Sequence, residues 1–405
     1  MMRIHINEQK WNEIEKKHWE YVSKNINLGL IGDHDKLKSF LNENLEVIIK
    51  GKKSEWDEKV IPEYEELIQN ELKNYKIRLV HNFMHCKKQK LETIIEDLKQ
   101  LETEESANNA NYVDFEKVLS EWMNANQKQS IKSEDKQEFL KQNYKQEYEV
   151  YEINNKINKI FDYDKFTKGD SKIGWGRHEL LVMLGIEACP YCNRNYITYY
   201  EEENKKKTTA DLDHYYPKSK YPFLALSLYN FIPSCKICNS LFKRDNNVQS
   251  LYPYEEGFGK NAWFTTDFDR DNNGEIKDIK YLLDSTGEFE LKIEVERDLS
   301  DENKSRIDGS KKLFKLEKVY SGHKNYVREL IKKIYCYNDQ RIDELMKCYE
   351  GVFSSKQEII EMVYGNYFID EERMIQRPLS KLTQDILLEF GVDFNEKNDR
   401  CGGIK

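Results

Sequence analysis

The chain has 405 residues, of which 39% are hydrophobic and 34% charged, with a net charge of −9 and eight cysteines. This composition fits a soluble globular protein with room for two or three domains, and no apolar run approaches the roughly 18 residues that span a bilayer. Met1-Met2-Arg3-Ile4-His5 carries no apolar leader segment, so no secretory signal is expected; a cytoplasmic location with no membrane contact is the expectation, and eight cysteines are too few for a disulfide scaffold.

Residues 1 to about 165 read as helical. Leu91, Ile94, Ile95, Leu98 and Leu101 recur at the spacing of one helix face. Ser106–Asn111 reads as a connector, and a further helix is expected over about 134–161. His81 and His85 stand one helical turn apart, but no acidic partner at recognisable spacing completes a metal site. Arg177–Leu184 reads as a short helix ended by Gly185. Short strands and loops follow to about Asp245, and residues 261–296 read as β, with Phe289, Leu291, Ile293 and Val295 alternating. Asp269-x-Asp271-x-Asn273-Gly274 imitates the start of a calcium loop. Its twelfth position is Lys280, so a hairpin turn is the better reading. Helix resumes from about 300. Val327, Leu330, Ile331 and Ile334 share a face, and a last helix opens at Pro378 and stops at Gly391. Cys86, Cys336, Cys348 and Cys401 read as plain thiols.

The chemistry concentrates between two CxxC pairs, Cys189-Pro-Tyr-Cys192 and Cys235-Lys-Ile-Cys238. Two such pairs can close a four-thiolate zinc site with no open position, which makes the ion structural. Between them, Ala210–Pro217 reads as a strand that presents Asp213 and His214 at its end. Asn230–Cys235 reads as a return strand, and Asn239 opens a helix. A metal joining these pieces would bring His214 near Asn239. Asp213 and Asn239 offer hard oxygen donors suited to Mg²⁺ or Mn²⁺, and a neutral histidine suits general-base work. From Cys189 to Asp245 nine Lys/Arg face six Asp/Glu, a local net of +3 against −12 elsewhere. Binding of a polyanion follows local cationic surface, so Arg194, Lys218, Lys220, Lys243 and Arg244 are candidate phosphate contacts. Lys205–Lys207, expected in a hairpin loop, could reach a backbone as well.

The CPYC, Asp213-His214 with Pro217, Asn230, and CKICN with Lys243 together resemble the HNH, or ββα-metal, endonuclease family in its four-cysteine zinc form, over about 60 residues. The resemblance implies His214 as the general base, Asp213 and Asn239 as ligands of a catalytic divalent ion, and Asn230 as the residue that pins the loop. It also implies hydrolysis leaving a 5′-phosphate and a 3′-hydroxyl, with DNA favoured over RNA. The expected fold is α+β and mainly helical. Its parts are a helical scaffold or docking region (1–165), the zinc-containing HNH core (166–250), a β-rich segment (251–300), a helical C-terminal region (301–394) and a loose tail (395–405). A looser resemblance, carried by Leu184-Gly185 before the first CxxC and by Arg377-Pro-Leu-Ser380, is to bacterial antiphage HNH nucleases of Septu-like systems. That resemblance implies an ATPase partner. A noncatalytic zinc module binding nucleic acid or protein, and an RNA-cleaving toxin, are the competing readings.

Overall fold

A computed structural model describes residues 1–68, 75–101, 109–169, 173–203, 205–244, 246, 249–268 and 289–392. The fold is α+β and mainly helical, with three separate two-stranded antiparallel sheets among the described residues. No described helix is long and apolar enough to cross a membrane.

Helices dominate because apolar residues recur along them and because their ends are capped. Asn7 accepts a hydrogen bond from the Lys10 amide at the start of helix Glu8–Asn25, and Ser300 does the same for Asn303 before Asp301–Leu313. Gly185, at φ 66°, takes the left-handed position that ends Arg177–Leu184. The helix expected over about 134–161 is two helices, Ser133–Asn143 and Lys145–Ile160. They break at Tyr144, whose ring turns inward against Phe115 and Phe139. Helix Asn109–Ala125 takes in the end of the expected connector, and the rest of that connector lies outside the described residues. The last helix is Ser380–Glu389 and does not open at Pro378. Leu379 precedes it at φ 64°, a left-handed conformation that a helix interior cannot contain.

The strands are β1 (Tyr199–Glu202), β2 (Lys205–Thr208), β3 (Ala210–His214), β4 (Phe231–Cys235), β5 (Ala262–Phe268) and β6 (Phe289–Val295). They pair β1–β2, β3–β4 and β5–β6. Phe289, Leu291 and Ile293 of β6 are buried while Glu290, Lys292 and Glu294 are exposed, as their alternation requires. The calcium-like stretch and its turn lie outside the described residues. Lys205–Lys207 lie in β2 itself, where Lys206 pairs with Glu179 and Lys207 with Glu202.

Buried apolar residues form two hydrophobic cores among the described residues. One is a helical lobe between Leu79 and Tyr151. Ile94, Ile95 and Leu98 are buried there, with Leu91 against them. The other gathers residues from Met1 to Leu387 around the cysteine pairs and β3–β4. Helix Lys145–Ile160 serves both, giving Tyr148 and Tyr151 to the lobe and Val150, Ile157 and Ile160 to the body. The body closes tightly at Gly257, where a Cβ would stand 2.6 Å from the Arg3 amide nitrogen.

Candidate metal centre and catalytic face

The four sulfurs of Cys189, Cys192, Cys235 and Cys238 all lie within 4.8 Å of one another and are buried, a set that could hold a metal ion such as zinc. Cys192 and Cys235 sulfurs are 3.9 Å apart. That is far beyond a disulfide bond of about 2.05 Å and close to the roughly 3.8 Å that tetrahedral Zn–S bonds of about 2.3 Å impose. The surroundings also suit thiolates. The Arg194 amide points at Cys192 sulfur (3.4 Å), and the Asn195 side-chain amide donates to Cys235 sulfur at 3.2 Å. Burial pushes the Cys189 thiol up, and the neighbouring thiols do the same to Cys238, while thiol donors lower Cys192 and Cys235. Four crowded sulfurs cannot all ionise without a cation between them.

The knuckle is fastened from both ends of the chain. The Met2 amide donates to Pro190 O at 2.8 Å and the Tyr320 hydroxyl to Cys192 O at 2.7 Å. Asn193, left-handed at φ 47°, accepts from the Leu379 and Lys381 amides through its carbonyl and side-chain oxygens and donates to Arg377 O. The Arg377–Ser380 stretch therefore docks on the knuckle loop.

β3 and β4 pair in register from Ala210↔Cys235 to His214↔Phe231, and the short helix Ile237–Lys243 follows β4 directly. Asn239 is the third residue of that helix and does not open it. The helix is wide, with the Arg244 amide reaching back five residues to Asn239 O at 2.8 Å. Alternation along β3 puts Asp211 and Asp213 on one face and Leu212 and His214 on the other.

His214 sits on the face shared with Leu212. Its Nε2 lies 3.0 Å from Ala225 O. A carbonyl can only accept, so Nε2 carries the hydrogen and Nδ1 the lone pair. No side chain or backbone group among the described residues engages Nδ1. Burial lowers its pKa to about 3; the Ala225 carbonyl opposes the shift, and Lys218 and Lys243 add to it. The imidazole is therefore neutral at ordinary pH. Tyr163 stands edge-on to it, ring centroids 4.6 Å apart. The loop that supplies the Ala225 carbonyl is fixed by Asn230, which is fully buried. Its Oδ1 accepts from the Tyr216 amide at 2.7 Å, and its Nδ2 donates to Tyr216 O and Leu224 O, each at 3.0 Å. N-terminal helices hold the same loop from outside. Buried His18 donates to Leu226 O at 2.7 Å, Ser227 donates to Ile48 O, and the Tyr64 ring lies 4.4 Å from that of Phe223.

The Asp213 face differs from the expected ligand pair. The Asp213 carboxylate receives the Tyr191 hydroxyl at 2.6 Å and the Lys243 ammonium at 3.1 Å from each of its oxygens. The Asn239 side-chain amide turns to Asp211 Oδ2, at 3.0 Å, with Ser240 beside it. As arranged, this face does not fit a divalent ion. The carboxylate expected to bind one is already neutralised, and the amide expected to assist it faces a different aspartate. The four cysteines are the only group of three or more His, Cys, Asp or Glu ligands found together among the described residues.

Of the candidate phosphate contacts, Arg244 is exposed. Lys218 lies 4.9 Å over the Tyr163 ring and Lys220 lies 5.1 Å over Tyr221. Arg194 donates to His323 at 3.1 Å. Lys243 is 2% exposed and cannot serve as a surface contact. His81 and His85 stack at 4.3 Å without a third ligand among the described residues. Cys86 donates to Asp97 at 3.1 Å, Cys336 and Cys348 are exposed, and Cys401 lies outside the described residues. Tyr191, Asp211 and the Ala225 carbonyl were not singled out from the sequence. Only Tyr191 carried a signal there, as an aromatic residue between two paired cysteines. Compared with known proteins, the chain matches no family model, no curated protein and no solved structure.

Proposed function

We propose that the protein is an HNH-type endonuclease that hydrolyses phosphodiester bonds of nucleic acid, DNA in preference to RNA, with a structural zinc in the four-cysteine cluster. The observation that carries this reading is His214. It stands at the end of a strand beside a cysteine-bound frame, its tautomer fixed by Ala225 O and its Nδ1 lone pair without a protein partner. A neutral imidazole held in that way can take a proton from an attacking water. A pKa of about 3 makes it a weak base by itself; a phosphate arriving nearby would raise it by favouring the imidazolium. Asn230 and the N-terminal helices keep the Ala225 carbonyl in place, so the region before the knuckle positions the base as well as enclosing it. A magnesium-type ion, which the family resemblance implies, would supply charge neutralisation at the phosphate; Asp213 and Asn239 as they are paired here do not form its site. The ATPase partner implied by the looser resemblance belongs to the same proposal, and co-purification from the native operon tests it.

The decisive test incubates wild type and His214→Ala with plasmid, single-stranded DNA and total RNA, in Mg²⁺ or EDTA, with zinc content measured on both. Cutting by wild type in Mg²⁺ only, slowed about 10²- to 10⁴-fold by the substitution at unchanged zinc content, is the expected result. Cutting that survives in His214→Ala refutes the assignment. Binding of nucleic acid by wild type without any cutting would instead assign the chain to the noncatalytic zinc modules.

A further inference from the structure

We infer that Lys315 and Lys318, with Arg244 and Arg194, form a cationic strip that takes the phosphate backbone of a DNA duplex beside the cysteine frame. The inference rests on the nuclease reading and deepens it by naming where phosphates flanking the cut would lie. It draws on a part of the chain outside the segment from Cys189 to Asp245, and packing puts that part next to the frame. The Phe314 ring stacks on Tyr191 at 4.4 Å, and the Tyr320 hydroxyl donates to Cys192 O at 2.7 Å. The Lys315 ammonium lies 5.6 Å over the ring of Phe242, in helix Ile237–Lys243. At the far end of the same stretch, His323 accepts from Arg194 Nε at 3.1 Å. Residues 315–323 therefore run from that helix, which exposed Arg244 follows, to the loop after Cys192, which carries Arg194.

The backbone is bent in a way that exposes these lysines. Lys315 is left-handed, at φ 48°, where a residue with a side chain is uncommon. That turn separates helix Asp301–Leu313 from helix Leu316–Tyr320, so Phe314 and Leu316 are both buried while Lys315 between them is exposed. Lys318, one helical turn on, is exposed as well. The acid in Lys311–Tyr320 is Glu317, and it is engaged by Lys311 at 3.4 Å and by the Ile293 amide at 3.0 Å. No ion pair among the described residues engages Lys315, Lys318 or Arg244, and Arg194 meets an imidazole rather than a carboxylate. In a chain of net charge −9, unneutralised cations gathered from three segments make the local cationic surface that a polyanion follows. Contacts of this kind hold the backbone and set the register of the duplex without reading its sequence.

The test reads binding of a short DNA duplex across a salt series without Mg²⁺, so its failure is separate from failure to cut. It compares wild type with Lys315→Gln/Lys318→Gln and with Lys87→Gln/Lys88→Gln. The last pair removes two exposed lysines of the helical lobe and changes the net charge equally. Each phosphate contact contributes about 0.9 to the slope of log affinity against log salt. The strip variant should therefore lose about two from that slope and bind several-fold more weakly. The lobe variant should match wild type, and Lys315→Arg/Lys318→Arg, which keeps both charges, should match it too. An unchanged slope in Lys315→Gln/Lys318→Gln, an equal loss in the lobe variant, or no duplex binding by wild type overturns the inference. Loss of slope in a protein that never cuts would keep the strip and refute the nuclease reading.

Discussion

The helical lobe and the cysteine-centred body are built by different means. In the lobe, Phe83, Phe115, Phe139 and Trp122 meet edge to face at centroid distances of 5.1–5.7 Å, all drawn from one stretch of chain. Its one buried charge among the described residues, Lys136, caps the carbonyls of Phe83 and Cys86 where helix Tyr75–His85 ends. The body instead wraps two five-residue strands and a seven-residue helix, too little to enclose a core alone. It draws in residues from both ends of the chain and four sulfurs that could hold a metal ion. Apolar packing should therefore make the lobe independent of metal, while the body's central unit should depend on it.

Metal removal is the largest test of that difference. Structural zinc supplies on the order of 10 kcal/mol in small zinc modules. Hydrogen exchange on the full chain after chelation should show β3, β4 and helix Ile237–Lys243 losing protection while the helices between Tyr75 and Asn143 keep theirs. Uniform loss would make lobe and body one cooperative unit, and no loss would mean that the cluster holds no metal.

The reciprocal experiment is Phe139→Ala. Truncating a fully buried phenylalanine costs about 3–5 kcal/mol. The lobe helices should exchange faster while zinc content stays at that of wild type. Release of zinc would show that the lobe supports the knuckle.

Acid separates the regions next. His18 of the body is sealed, donating from Nε2 to Leu226 O and accepting the Trp175 indole N–H at Nδ1 at 3.1 Å, so the fold requires it neutral. Burial lowers its pKa from 6.5 to about 4. The unfolded chain therefore binds the extra proton between those values. The stabilisation is complete above about pH 6.5 and is lost as pH falls toward 4, up to about 3 kcal/mol. Urea midpoints at pH 7 and 4.5 should fall more steeply in wild type than in His18→Gln. His214, lowered for the same reason, should leave part of the slope in the variant. Equal slopes would remove His18 from the account.

These tests also bear on what could be read from the chain. The lobe's helix face and the alternation of β6 were legible because the neighbours that bury them recur at fixed local spacing. So were the four cysteines, since pairs at CxxC spacing need only one meeting in space. The direction taken by each side chain on the Asp213 face was not legible. Strand alternation puts Asp211 and Asp213 on one side, but which of them Asn239 meets depends on the helix starting at Ile237 and winding wide. The fate of Asp213 depends on Lys243 turning inward, and a surface reading of that lysine followed from its charge alone. The carbonyl that sets the His214 tautomer belongs to Ala225, whose position is fixed by helices some 180 to 210 residues earlier in the chain, which no local pattern records.

The smallest expected effect lies where frame and face join. Tyr191 belongs to the first CxxC, stacks on Phe314 at 4.4 Å, and donates to Asp213 at 2.6 Å. Burial pushes its hydroxyl well up, with the Asp213 charge adding to the shift, so it remains a donor at any working pH. A hydrogen bond to a charged group contributes about 1.5–3 kcal/mol, and Tyr191→Phe should lower stability by that amount with zinc retained and the ring still stacked. If Asp213 is held mainly by Lys243, the loss falls at the low end, and combining Tyr191→Phe with Lys243→Met should cost more than the two separate losses together, because the carboxylate is then buried with neither partner. Strict additivity in that double-mutant cycle would mean that knuckle and helix hold Asp213 independently, and the cysteine frame would then have no energetic link to the Asp213 face.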